Sequence, residues 1–344
     1  MKNPFVTNGY VSPEYFCDRE KETAKIVSLL TNENNIALIS PRRLGKTDLL
    51  RHCFGQPEIK EHYHTFIIDI YATSSVRDFV NVFGKAVLDE LRPKGKSVWG
   101  TFLNVLASLR SEITFDMNGQ PTWGIGLGAI TNPSATLDEI FSYLNNAGKP
   151  CLIAIDEFQQ ITKYADDPNI EAALRTHIQR CSNAHFVFSG SHRHLMGAMF
   201  TSPARPFYQS VTLINLPPIS VDKYAEFCLR HFERASKHLD TLVVTELYER
   251  FNGITSYMQK VMNILFSMTG TGEICIPSMI DTAINDLLDF SADTYDALLY
   301  QMPEKQRIVF MAIAAEGKAK AISSGDFVRK YKLQSASSVS SAVK

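Results

Sequence analysis

The sequence has no CxxC pair, no internal repeat and no apolar run near the ~18–20 residues that a membrane span requires. Its six cysteines, Cys17, Cys53, Cys151, Cys181, Cys228 and Cys275, lie far apart. Such scattering excludes a disulfide framework and a cysteine-built zinc site, and it reads as isolated thiols. Net charge is lacking too. The 35 Lys and Arg against 36 Asp and Glu leave −1, so no global field draws the chain to nucleic acid or an anionic membrane. The start, MKNPFVTNGYVSPEYF, carries one early Lys and no apolar stretch, which excludes a secretory signal. The expected location is the cytoplasm, with no membrane partner. Two HxH pairs, His62/His64 and His192/His194, have no third ligand at metal-binding spacing.

What is present is ordinary globular material. Hydrophobic residues are 45% and charged residues 21%, enough for a sizeable core. At about 100–200 residues per domain, 344 residues make roughly two or three domains.

The first half alternates helical and strand patterns. Residues 19–32 read as an amphipathic helix with Ile26, Leu29 and Leu30 on one face. NIALIS (35–40), CLIAIDEF (151–158) and HFVFSGS (185–191) read as buried strands and HTFIIDIY (64–71) as a further strand, with helices at 46–54 and 75–91. This alternation predicts an α/β fold with a doubly wound parallel sheet. Asn118-Gly119, between two alternating runs in 113–129, predicts an inserted β-hairpin spanning about 113–130. Pro217-Pro218 marks a boundary. Helical stretches follow at 220–236, 240–252, 255–268 and 277–290, then at 294–301, 303–316, 323–331 and from 335. The expected domains are 1–216, 217–290 and 291–344.

The strongest chemical signal is SPRRLGKT (40–47), between a strand and a helix. That context makes backbone N–H groups and a helix N-terminus into an anion nest. The candidate phosphate cradle is Ser40, Pro41, Arg42, Arg43, Leu44, Gly45, Lys46, Thr47 and Asp48. Lys46 would reach the β- and γ-phosphates, and Thr47 would offer its hydroxyl to Mg²⁺. Ser40 stands where the usual pattern has its first glycine, giving up free access to positive φ.

CLIAIDEF brings two carboxylates to a strand end. Asp156 fits the group that orders a Mg²⁺ shell, and Glu157 the general base for an attacking water. Ser191, at the end of the next strand, is the candidate sensor of the terminal phosphate. Arg205, in SPARPFY (202–208), is a candidate arginine finger acting in cis or on a neighbouring subunit, with Arg193 as its competitor.

These motifs together resemble the archaeal-type ATPase family, P-loop proteins related to AAA+ and to the STAND class. YFCDREKE (15–22) is similar to the family's N-terminal element, with Arg19 and Glu20 before the first helix. SPRRLGKTDLL (40–50), IDEFQQI (155–161), FSGSH (188–192) and FNGITSYMQKV (251–261) resemble its phosphate loop, carboxylate motif, sensor strand and lid. Residues 306–344 resemble the winged-helix module often attached to it. The resemblance implies a RecA/AAA+-like core, a helical lid, ATP and Mg²⁺ as ligands, and slow, regulated hydrolysis to ADP. Two features depart from the pattern: Ser256 stands where relatives often have proline, and the lid motif has no arginine.

Residues 303–344 hold eight Lys and Arg against three Asp and Glu, a footprint suited to duplex DNA. The Ser-rich stretch 335–341 would begin a recognition helix, so the module reads as incomplete at Lys344. A protein-docking or autoinhibitory module would carry the same charge on a solvated face. Three readings therefore stand: an ATPase, a nucleotide-controlled switch that barely hydrolyses, and a DNA-binding regulator. Protein partners and self-association fit each.

Overall fold

The computed structural model describes residues 2–91, 113–115, 121–123, 132–317 and 319–343. These form two compact units, Met1–Pro277 and Ser278–Lys344.

In the first unit, α1 (Glu20–Thr31) leads to β1 (Ile36–Ile39), α2 (Lys46–Phe54), α3 (Pro57–His62), β2 (His64–Asp69) and α4 (Val76–Leu91). A short antiparallel pair follows, β3 (Ile113–Phe115) with β4 (Pro121–Trp123). The expected hairpin strands are thus present, and the Asn118-Gly119 turn lies outside the described residues. Then come α5 (Pro133–Asn145), β5 (Cys151–Asp156), α6 (Ile170–Arg180), β6 (Ala184–Gly190), α7 (Arg193–Thr201) and β7 (Thr212–Asn215).

The main sheet has the order β2-β5-β6-β1-β7, and every neighbouring pair is parallel. Side-chain alternation divides its two faces. Ile36, Leu38, Leu152 and Ala154 pack with Ile26, Leu30, Leu49 and Leu50 of α1 and α2. Ala37, Ile39, Ile153 and Ile155 pack with Phe79 and Phe83 of α4, Ile140 of α5 and Leu174 of α6. Helices on both faces explain why the central strands read as unbroken apolar runs. The fifth strand, β7, was not expected. It is short and half-exposed, so it lacks that signature.

A helical region completes the unit: α8 (Val221–Arg234), β8 (His238–Leu239), α9 (Thr241–Phe251), α10 (Thr255–Met268) and β9 (Ile274–Cys275), with β8 and β9 parallel. Phe5 is buried among Phe227, Phe232 and Phe266 of α8 and α10, which ties the N-terminal segment to this region.

The second unit holds α11 (Ile280–Gln301), α12 (Glu304–Glu316), α13 (Gly325–Lys330) and α14 (Ala336–Ala342). One helix spans 280–301 where the sequence suggested two. No Gly or Pro falls in that stretch to break it. Val309, Ala312, Phe327, Leu333 and Val339 form this unit's core. Ser324 and Ser335 cap α13 and α14 by accepting N–H bonds from Phe327 and Ser338.

All six cysteines are free and buried, as expected. No helix among the described residues is long and apolar enough to cross a membrane.

His231 sits between Tyr15, Phe227 and Phe5, and its Nε2 has no hydrogen-bond partner. Burial first, then Arg230, pushes its pKa below 6.5; burial does the same to His185 and His177. The unfolded chain therefore binds protons that the native chain refuses, so this stability is present above pH 6.5 and lost as pH falls toward the lowered native values. The melting temperature is expected to drop between about pH 7 and pH 5.5, and to drop less in His231→Phe.

Candidate functional site

The site lies at the carboxyl ends of β5, β6 and β1. In open parallel sheets this is where a crevice forms, because the chain leaves adjacent strands in opposite directions. A cleft of about 630 Å³ opens there. Its walls include Arg42 to Asp48, Asp69, Tyr71, Asp156 and Glu157. They also include residues of the N-terminal segment, among them Tyr10, Val11 and Phe16, and Thr255, Ser256 and Gln259 of α10.

The phosphate loop runs from Ser40 into α2. Gly45 has φ 82°, the left-handed region that favours glycine. Arg43 takes the same region at φ 71°, with a side chain that ordinarily opposes it. Ser40 is absent from the positive-φ positions, so serine in place of glycine costs the backbone nothing here. Its N–H instead donates to Gly190 O of β6 at 3.4 Å.

Lys46 is only 7% exposed. Its Nζ donates to Ser40 O at 3.2 Å and Pro41 O at 3.3 Å, folding back over the loop. Burial pushes its pKa down, Asp156 and Glu157 oppose that, and Arg42 adds to it. Thr47 Oγ1 donates to Asp156 Oδ2 at 2.5 Å. Asp156, also 7% exposed, ends β5, and its neighbour across the sheet is Asp69 at the end of β2.

The chain leaves β5 sharply. Glu157 takes φ 54°, ψ 39° instead of continuing the strand, which ends at Asp156 and not at 158 as the sequence suggested. The Glu157 carboxylate accepts two bonds on Oε2, from Ser191 Oγ at 2.8 Å and from Gln159 Nε2 at 2.5 Å. Arg42 Nε in turn donates to Ser191 Oγ at 3.4 Å. Lys46, Thr47, Asp156, Glu157 and Ser191 are therefore brought together.

Arg205 is not among them. It donates to Glu171 and does not line the cleft, nor does Arg193. Among the described residues no three His, Cys, Asp or Glu group as a metal site.

Several cleft residues escape sequence reasoning. The segment 6–16 has no periodicity, yet Tyr10, Val11 and Phe16 form a wall. Phe16 stacks on His52 of α2 at 4.4 Å, and Tyr10 Oη bonds His52 Nδ1 at 3.1 Å, which pins the segment in place. Arg19 is 2% exposed and pairs with Glu22 at 2.9 Å, while its Nη2 has no partner. The family-like YFCDREKE element was the signal for Arg19. The start of α10 meets the loop directly. Ser256 N donates to Arg43 O at 3.2 Å, and the Arg43 guanidinium lies over the Tyr257 ring at 4.8 Å.

The sheet order, the loop and the paired carboxylates define a P-loop ATPase. A family model described as "ATPase domain predominantly from Archaea" matches residues 16–261, and the chain belongs to this family. A second, "Probable winged helix domain", matches residues 293–344. Similar solved structures include a Walker-type ATPase of Pyrococcus abyssi: TM-score 0.62, 18% identity, covering 96% of this chain and 87% of that one. The ORC1 protein of Aeropyrum pernix, solved in complex with DNA, has TM-score 0.58 and 14% identity over 99% of this chain and 86% of its own. The ORC2 protein of Aeropyrum pernix, in ADPNP-ADP complexes, has TM-score 0.58 and 15% identity over 96% and 82%. At these identities the likeness is one of fold. No curated protein sequence matches the chain.

Gly45 has open space around the position of a Cβ, so only its backbone conformation demands glycine. Gly45→Ala is expected to cost about 1–2 kcal/mol of stability, read as a lower midpoint in chemical unfolding.

Proposed function

We propose that the cleft binds Mg²⁺-ATP and hydrolyses it to ADP and phosphate, slowly and under a partner's control. The observation that carries this is the convergence of Thr47, Asp156, Glu157 and Ser191 beside a phosphate loop. In this reading the loop N–H groups and the N-terminus of α2 cradle the phosphates. Lys46 leaves its two loop carbonyls for the β- and γ-phosphate oxygens. Thr47 and Asp156 offer hard oxygen donors already within bonding reach of each other, a set that fits Mg²⁺. The ion would supply positive charge at the β- and γ-phosphate oxygens.

Glu157 takes the proton of the attacking water. Its Oε2 is occupied by two donors, so Oε1 is the oxygen that receives it. Ser191, between Glu157 and Arg42, feels the terminal phosphate. Lys46 and Arg42 face the charge that develops on the γ-phosphoryl group. At the other end, Arg19 with its unpartnered Nη2 and the Tyr10, Val11 and Ile219 wall suit a base and ribose. Arg205, paired with Glu171, would act only toward a neighbouring copy.

Slow turnover follows from the lid. α10 contains no arginine and brings Thr255, Ser256 and Gln259 to the cleft, so one cation that could neutralise the transition state is missing. The link from Ser256 and Tyr257 to Arg43 supports the switch reading as well, since it joins lid and loop.

A second role, duplex DNA binding, is favoured by the positive excess in 303–344 and the winged-helix match. The DNA-bound ORC1 relative in fold supports the same reading. Protein partners and a cytoplasmic location remain part of this proposal.

Phosphate release from Mg²⁺-ATP is expected to fall about 100-fold or more in Glu157→Gln while nucleotide binding persists. Equal rates in the two proteins would leave the switch reading. Duplex affinity is expected to fall as salt rises, and to weaken further in Lys320→Glu/Lys332→Glu, measured by fluorescence anisotropy.

A further inference from the structure

We infer that Gln159 is a positioning residue for hydrolysis, holding the Glu157 carboxylate so that one oxygen faces the cleft. The inference rests on the ATPase reading above and adds a residue to it.

Gln159 is the second residue of the 3₁₀ turn Phe158–Lys163 that follows β5. Its neighbours Phe158 and Ile161 belong to the main core, and Gln159 itself is 3% exposed. A buried amide is costly unless its donors and acceptor are all matched. Here they are not: Oε1 has no hydrogen-bond partner. Packing alone would favour an apolar side chain of the same length. Stability therefore does not account for the amide.

Its one side-chain bond does. Nε2 donates to Glu157 Oε2 at 2.5 Å. The amide orientation follows from chemistry, because an ionised carboxylate only accepts. Ser191 Oγ donates to the same oxygen at 2.8 Å. The two donors come from different elements, the turn after β5 and the end of β6, so together they fix both the place and the rotation of the carboxylate. Glu157 lines the cleft, and no described residue donates to Oε1. A base needs that division: one oxygen anchored, one open to the water.

The seat of Gln159 is built for it. A Cβ on Gly190 would run into Gln159 Oε1 and into Met196 Sδ. Gly190 is not among the positive-φ positions, so close approach, not backbone conformation, requires glycine there. The same Gly190 accepts the Ser40 N–H of the phosphate loop. Gln159 thus stands between the base and the strand end that supports the loop.

The test is steady-state ATP hydrolysis by the full chain, its Gln159→Met and Gln159→Leu variants, and Glu157→Gln, with melting temperatures of each. Both apolar variants keep the length or volume and lose the donor. The expected result is a kcat lower by about tenfold, with KM for ATP unchanged and the melting temperature unchanged or raised. Wild-type kcat in the variants would overturn the inference and leave the ATPase reading standing. So would a change confined to KM and melting temperature, or failure of both variants to fold, since either makes the amide structural. Wild-type turnover no higher than that of Glu157→Gln would overturn the ATPase reading, and this inference with it.

Discussion

The hydrogen bond between Thr47 and Asp156 depends on a single constraint of topology: β6 lies between β1 and β5. Thr47 lies in the first turn of the helix after β1, Asp156 ends β5, and their side chains meet across the end of the intervening strand. Parallel register makes this possible. Ile39 pairs with Gly190 and Ile155 with Phe188, so the three strands stop at nearly the same level. A slip of one residue would turn each side chain to the opposite face. Register is held by the buried alternation of β5 and β6, and beneath it by aromatics. The Phe158 ring, next to Glu157 in sequence, packs on Phe188 at 4.4 Å and on Phe207 at 5.4 Å. The turn that carries Glu157 is therefore fastened to the core by its next residue. Positioning of the Glu157 carboxylate begins in hydrophobic packing and is finished by hydrogen bonds.

Much of this was legible in the sequence, for a definite reason. Strands buried on both faces are continuous apolar runs, and a phosphate loop must follow one of them and open a helix. β1, β5 and β6, the loop at 40–47 and the carboxylates at 156 and 157 all carry that local signature, while β2, an edge strand half-buried over most of its length, reads as a strand from its apolar residues alone. What escaped has no local signature. β7 is four residues long with half its side chains outward. The N-terminal segment shows no period because it forms neither helix nor strand over most of its length; its role appears only when Phe5 is seen among Phe227, Phe232 and Phe266. Gln159 reads as a polar residue after a strand, and only burial and a shared oxygen give it meaning. Arg205 reads as a free arginine in a loop, but Glu171, far from it in sequence, takes it up.

Backbone conformation was the least legible level. Arg19, Arg43 and Glu157 all adopt positive φ, and all three line the cleft. Side-chain type gives no warning at these positions, since none is Gly, Asn or Asp. The family pattern led to the opposite concern at Ser40, where glycine was missed and where the backbone turns out to be unstrained. The loop puts its left-handed residues at 43 and 45 instead, so its curvature does not rely on the first position.

Strain and unmatched polarity coincide in this region. Each left-handed non-glycine residue costs on the order of 1–3 kcal/mol and persists only where the surroundings impose it. Around the same cleft, Arg19 Nη2 and Thr255 Oγ1 are buried without partners, and Gln159 Oε1 is so behind Glu157. A sequence selected only for a stable native state would relieve these costs with Gly at 43 or an apolar residue at 159. Keeping them buys geometry: a left-handed turn in the loop at Arg43, a bond from α10 to that loop through the Arg43 carbonyl, and a Glu157 carboxylate with Oε2 anchored by two donors. The stability that sustains this comes from elsewhere in the unit, chiefly the two faces of the parallel sheet. The site can therefore be strained because it sits at the strand ends, where the packed core stops and imposes the backbone without filling the cleft.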